Sequence, residues 1–120
     1  MDKYKLEEYI ADTYGVEADY PWQSTPEYAV YRHSDSRKWF AVVMDIPKRY
    51  LGLAEDGRID IMNIKCPYAT ISTLLGEEGF YPAYHMNKYC WISVALDGRV
   101  GAETVKELLE LSHSLTSNKK

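Results

Sequence analysis

The chain has 120 residues, 46% hydrophobic and 27% charged, with 7 Gly, 5 Pro, 2 Cys and a formal charge of −4. These values exclude a disordered chain, a collagen-like repeat and a disulfide scaffold, and they suit one domain over residues 1–120. No apolar run approaches the ~20 residues that span a bilayer, and the polar start Met1-Asp2-Lys3-Tyr4-Lys5-Leu6 is no secretory signal, so a reducing cytoplasm is the expected setting.

Asp2 to Tyr14 reads as a helix, with Leu6, Tyr9, Ile10, Thr13 and Tyr14 on one stripe and Gly15 placed to end it. Residues 19–27 hold Pro21 and Pro26 and predict an extended connection. A hairpin follows, in which Tyr28 to Arg32 and Lys38 to Ile46 flank the polar tip Ser34-Asp35-Ser36. Ile59 to Lys65 predicts a third strand after the Glu55-Asp56-Gly57 turn. Pro67 to Leu75 predicts a short helix, and Tyr89 to Leu96 a further strand. The chain then turns helical from Ala102 to about Ser117, where Val105, Leu108, Leu109, Ser112 and Leu115 form a stripe. Strands grouped between terminal helices indicate an α+β fold. Its antiparallel sheet carries the N- and C-terminal helices on one face and a small inserted helix near residues 67–75.

Charge and aromatic content narrow the use of the other face. The acidic excess lies in the first twenty residues, where Asp2, Glu7, Glu8, Asp12, Glu17 and Asp19 meet only Lys3 and Lys5. The remainder is balanced, which permits a locally basic surface without requiring one. Eleven Tyr and 3 Trp against 2 Phe suit half-exposed positions that use both an apolar ring and a polar tip.

Strand alternation in the last strand sends Ile92, Val94 and Leu96 toward the helices and Tyr89, Trp91, Ser93 and Ala95 away. A hairpin centred on Asp35 sets Val30 opposite Phe40, Tyr31 opposite Trp39, Arg32 opposite Lys38 and His33 opposite Arg37. With Val30 and Phe40 inward, Tyr31, Trp39, His33 and Arg37 share the open face. Arg32, His33, Arg37 and Lys38 around a single Asp35 read either as a phosphate-binding finger or as a solvated hairpin end. The stretch Tyr81-Pro82-Ala83-Tyr84-His85-Met86-Asn87-Lys88-Tyr89-Cys90-Trp91 interleaves rings with cationic and amide donors. It suits contacts to bases and phosphates, or a structural corner whose polar groups satisfy the backbone.

In order along the chain, Tyr20-Pro21-Trp22, Val30-Tyr31-Arg32-His33, Lys38-Trp39-Phe40-Ala41, the Ile61 to Lys65 strand, Tyr81 to Lys88, and Trp91-Ile92-Ser93-Val94 resemble the MmcQ/YjbR family of small bacterial proteins. The resemblance implies a CyaY-like (frataxin-like) single domain and a DNA-binding role, proposed for the family as a "double wing" of β-hairpins. Carried over residue by residue, the implied contact set is Arg32, Lys38, Trp39, Lys65, His85, Asn87, Lys88 and Trp91. The expectation is a monomeric, non-enzymatic DNA-binding protein with no cofactor, no metal and no membrane partner.

Three other readings compete. A small ligand or partner peptide would use the same aromatic face. Metal handling would use Glu7, Glu8 and Asp12 on the first helix, with Asp2, Glu17 and Asp19 nearby, as hard oxygen ligands. Catalysis would need Cys66, Cys90, His33 or His85, but no CxxC, fourth ligand or base partner accompanies them, and there is no Walker motif, GxGxxG or nucleophile elbow. Cys90 is expected buried and inert, and His113 belongs to the last helix.

Overall fold

A computed structural model describes residues 1–117. Helix α1 (Lys3–Tyr14) starts where Asp2 Oδ1 accepts hydrogen bonds from the amides of Tyr4 (3.1 Å) and Lys5 (2.9 Å), and it buries Leu6 and Ile10. Gly15, at φ 65°, turns the chain out of the helix in a left-handed conformation that a side chain would disfavour.

Strands β1 (Ala29–Arg32) and β2 (Trp39–Pro47) form the expected hairpin, and a 3-10 turn (Lys48–Leu51) follows. Then come β3 (Arg58–Lys65), α2 (Tyr68–Leu74), β4 (Phe80–Pro82), β5 (Trp91–Ala95) and α3 (Ala102–Leu115). The five strands form one antiparallel sheet in the order β1-β2-β3-β5-β4. The mixed α+β class and its order of elements are as the sequence indicates. Strand β4 and the 3-10 turn are additional, and Tyr89 and Cys90 lie in the turn before β5.

One face of the sheet carries α1 and α3. Tyr31, Phe40, Val43, Met62, Ile64, Ile92 and Val94 point into this core, where they meet Leu6, Ile10, Val105 and Leu109. The hairpin register departs from expectation. Val30 lies opposite Val42, Tyr31 opposite Ala41 and Arg32 opposite Trp39, with a bulge that leaves Phe40 as the extra residue. Tyr31 therefore faces the helices and Val30 faces away, the reverse of the predicted assignment.

The bulge has a second consequence. Trp39 and Val42 both face away from the helices while Phe40 stays in the core. The broken ladder is repaired from α3, where the buried Ser112 hydroxyl donates to the Phe40 carbonyl (2.6 Å) and accepts from the Lys65 amide (2.8 Å).

The face without helices is also covered. Val30, Val42, Met44, Ile46, Ile59, Ile61 and Ala95 are buried there beneath Trp22, Tyr28, Trp39, Leu51, Tyr81, Tyr84 and Met86. Several of these covering side chains come from irregular segments, and between them the roof is incomplete.

Candidate functional site

Three irregular segments meet over β2. Residues 19–28 enter beside β1, anchored by paired backbone bonds between Asp19 and Val30 (2.8 Å each) and closed by Tyr28 N–H to the Thr25 carbonyl (3.1 Å). They deliver Trp22, Thr25 and Tyr28. The 3-10 turn at the end of β2 delivers Tyr50, half of whose surface is exposed.

Residues 83–90 cross from the opposite side, held by a buried polar relay. The Asn63 side-chain amide donates to the Tyr84 carbonyl (2.9 Å), the Tyr84 amide donates to Ser93 Oγ (3.0 Å), and Ser93 Oγ donates to Asn63 Oδ1. His85 then adopts φ 58°, an unusual backbone for a non-glycine residue. Its ring sits 4.0 Å from that of Tyr84.

The result is a cleft of about 550 Å³ lined by Trp22, Thr25, Tyr28, Trp39, Val42, Met44, Tyr50, Tyr84, His85 and Met86. Trp22 stands edge-on to Trp39 (5.7 Å, 89°) and to Tyr28 (6.2 Å, 79°), while Tyr50 and Tyr84 stack on each other (5.6 Å, 22°). Burial raises the phenol pKa of Tyr28 and of Tyr84, with added repulsion from Tyr84 and from Tyr50 respectively. Both hydroxyls therefore stay protonated at neutral pH and can donate as well as accept hydrogen bonds.

The guanidinium of Arg32 lies 5.6 Å from the Trp39 ring, and that of Arg49 lies 5.2 Å from the Tyr50 ring. Among the described residues, ion pairing separates the cations into two groups. Arg32 (2.8 Å) and Arg37 (3.2 Å) share Asp19, Arg58 holds Asp45 (3.0 Å), and Lys48 and Arg99 share Glu55. Lys38, Arg49, Lys65 and Lys88 have no carboxylate partner among the described residues, although Lys88 Nζ donates to the Ala83 carbonyl (3.0 Å).

The residues expected from sequence to form the site divide accordingly. Arg32 faces Trp39 across β1–β2, and Lys65 faces Trp91 across β3–β5. By strand alternation all four lie on the face away from the helices, at one end of the sheet. The segment with His85, Asn87 and Lys88 crosses that same face. Asn87 is chiefly a turn former, since its side chain accepts from the Tyr89 amide (2.9 Å) and its carbonyl from the Trp91 amide (2.9 Å).

His33 is a correction. It is 6% exposed on the helix side, bonded through Nε2 to Thr116 Oγ1 (2.8 Å) and 4.3 Å from the His113 ring. A shift of the hairpin register moved it there. Arg37, at φ 66°, closes the hairpin tip and turns back to Asp19, and Arg32 faces Trp39 instead of Lys38, so the supposed phosphate finger does not assemble.

Sequence reasoning did not single out Trp22, Tyr28, Tyr50 and Met86 as site residues. For Tyr28 and Tyr50 the surplus of Tyr over Phe is the signal, while Trp22 lies in the resemblance motif Tyr20-Pro21-Trp22 and Met86 in the ring-rich stretch from Tyr81 to Trp91.

Cys66, Cys90 and the acidic residues of α1 lie outside this cleft. Burial pushes the Cys66 thiol up to about 11, while Cys90, expected buried, is only half-buried. Glu7, Glu8 and Glu17 border a groove of about 600 Å³ beside α1, where Glu7 accepts a bond from the Tyr20 hydroxyl (3.4 Å). Among the described residues no group of three or more His, Cys, Asp or Glu could hold a metal ion. None of the described helices is long and apolar enough to cross a membrane.

These features define a class: small α+β domains with helices on one sheet face and a looped, ring-lined cleft on the other. The chain belongs to the YjbR family, whose model matches residues 11–115. Over 108 residues it is 38% identical to the uncharacterized protein YyaQ of Bacillus subtilis strain 168, which covers 90% of this chain and 92% of that one. A crystal structure of a Pseudomonas syringae protein is 41% identical and superposes with a TM-score of 0.95 over 98% of this chain and 100% of that one. A Deinococcus radiodurans protein with the domain DUF419, 21% identical, shares the fold at a TM-score of 0.74 over 98% of this chain and 80% of that one.

Proposed function

We propose that this protein binds DNA through the loop-covered face of its sheet, as a cytoplasmic monomer and without catalysing a reaction. The observation that carries this reading is the grouping, on one face, of rings and cations from distant parts of the chain. Arg32, Trp39, Lys65 and Trp91 lie at one end of the sheet, and the segment bearing His85 and Lys88 crosses beside them.

Charge placement supports a one-sided approach. The acidic residues Glu7, Glu8 and Asp12 belong to α1, which packs on the opposite face, so a polyanion meets them last. Lys38, Arg49, Lys65 and Lys88 supply positive charge that no carboxylate among the described residues neutralises. None of the described helices is rich in Arg, Asn and Gln in the manner of a recognition helix, so phosphate contacts and ring stacking dominate over base-edge readout.

A salt titration tests the proposal. If these four cations each neutralise one phosphate, log K falls against log salt with a slope of about −3.6 on a duplex and about −2.8 on a single strand. Lys65→Ala should flatten that slope by about one contact. Failure of both duplex and single-stranded DNA to bind at low salt would refute the reading.

A further inference from the structure

We infer that the aromatic cleft is a pocket for one unstacked nucleobase, so that the protein prefers single-stranded or base-extruded DNA to intact duplex. The inference deepens the DNA-binding reading but has a test of its own. The walls suit a flat, uncharged guest. Trp22 stands perpendicular to Trp39 and Tyr28, which forms a corner, and the Tyr50–Tyr84 stack supplies a second ring surface. Met44 and Val42 make the floor apolar, and the cleft volume of about 550 Å³ falls in the usual span of small-molecule sites.

Polar groups are sparse, as orientation of a base requires. Thr25, His85 and the neutral hydroxyls of Tyr28 and Tyr84 can each serve a heteroatom edge that both gives and accepts hydrogen bonds.

The cations decide between guests. Ring-lined clefts also take quaternary ammonium groups, but here Arg32 lies against Trp39 and Arg49 against Tyr50. A cationic guest would meet like charge at both rings. A neutral base carrying an anionic backbone gains instead, because its phosphates can reach Arg49 while the ring enters the cleft. Duplex DNA keeps its bases stacked and out of reach unless one is extruded, at the cost of its stacking and pairing.

The test uses the full chain and a ten-nucleotide single strand with a central 2-aminopurine, alongside its duplex. The single strand should bind about tenfold or more tightly than the duplex, with altered 2-aminopurine fluorescence. Tyr50→Ala, at an exposed position, and Trp22→Ala should each weaken single-strand binding about tenfold, whereas Tyr4→Ala on the distant first helix should not. Single-strand affinities within about twofold of the parent in both cleft variants would overturn the inference while leaving DNA binding by the face intact.

Should neither form of DNA bind, the DNA reading falls, and deoxyadenosine 5′-monophosphate alone then judges the cleft by NMR. Movement of the Trp22 and Trp39 indole N–H signals with Trp91 unmoved would uphold a base pocket. No movement, or movement of Trp91 alone, would overturn it.

Discussion

The two faces of the sheet bury similar aliphatic side chains but are closed by different means. On one, helices α1 and α3 lay down regular apolar stripes, and Ser112 and Thr116 satisfy the strand and histidine groups they cover. On the other, single side chains from three irregular segments reach over Val42 and Met44. A helix seals what it covers because its side chains repeat every turn, whereas loops place rings one at a time and leave gaps between them. The difference teaches where to look for binding: the loop-covered face retains accessible rings because it lacks a periodic cover.

That contrast can be broken by truncating one ring on each side. Phe40 is 0% exposed and touches Tyr14, Tyr31, His33 and His113. Phe40→Ala should cost about 3–5 kcal/mol in urea unfolding, as large cavities do. Tyr50→Ala, on the exposed side, should cost less than about 1 kcal/mol. Equal losses would mean that the loop-covered face is as much a structural core as the helical one.

The polar relay beneath the flap sharpens the comparison. Asn63→Ala removes the donor to the Tyr84 carbonyl and the acceptor for Ser93, leaving buried groups unsatisfied at about 1–3 kcal/mol. The damage should be local. Hydrogen exchange at the Tyr84 amide should accelerate far more than at the core amides of β3, and DNA affinity should fall with it. Uniform acceleration throughout the sheet would show that residues 83–90 do not behave as a separate roof.

The ease of reading the sequence follows the same division. The stripes of α1 and α3 and the alternation of Ile92, Val94 and Leu96 were legible because helices and strands repeat. The hairpin is legible in the sequence, but its register is not. Nothing local marks Phe40 as a bulged residue, and its partner Ser112 lies 72 positions away. That one irregularity exchanged Tyr31 for Val30 and drew His33 into the core. Trp39 was nevertheless placed on the correct face. The cleft was harder still, since Trp22, Tyr28 and Tyr50 come from turns whose side-chain directions follow no period.

The smallest expected effect concerns Asp19, the carboxylate that separates paired from unpaired cations near the cleft. It sits 2.8 Å from Arg32 and 3.2 Å from Arg37, with nearly half of its side chain exposed. Asp19→Asn keeps the size and an acceptor for Arg32 while removing the charge, so stability should change by about 1 kcal/mol or less. Binding should respond in the opposite sense from most substitutions. Two guanidiniums, one of them against Trp39, lose their counter-charge and become available to phosphate. Affinity at low salt should rise a fewfold, and the single-strand salt slope should steepen by about 0.7 for each phosphate gained. An unchanged slope would mean that the proposed DNA path does not pass the Trp39 end of the face. Phosphate contact would then rest on Arg49 and the segment carrying Lys88.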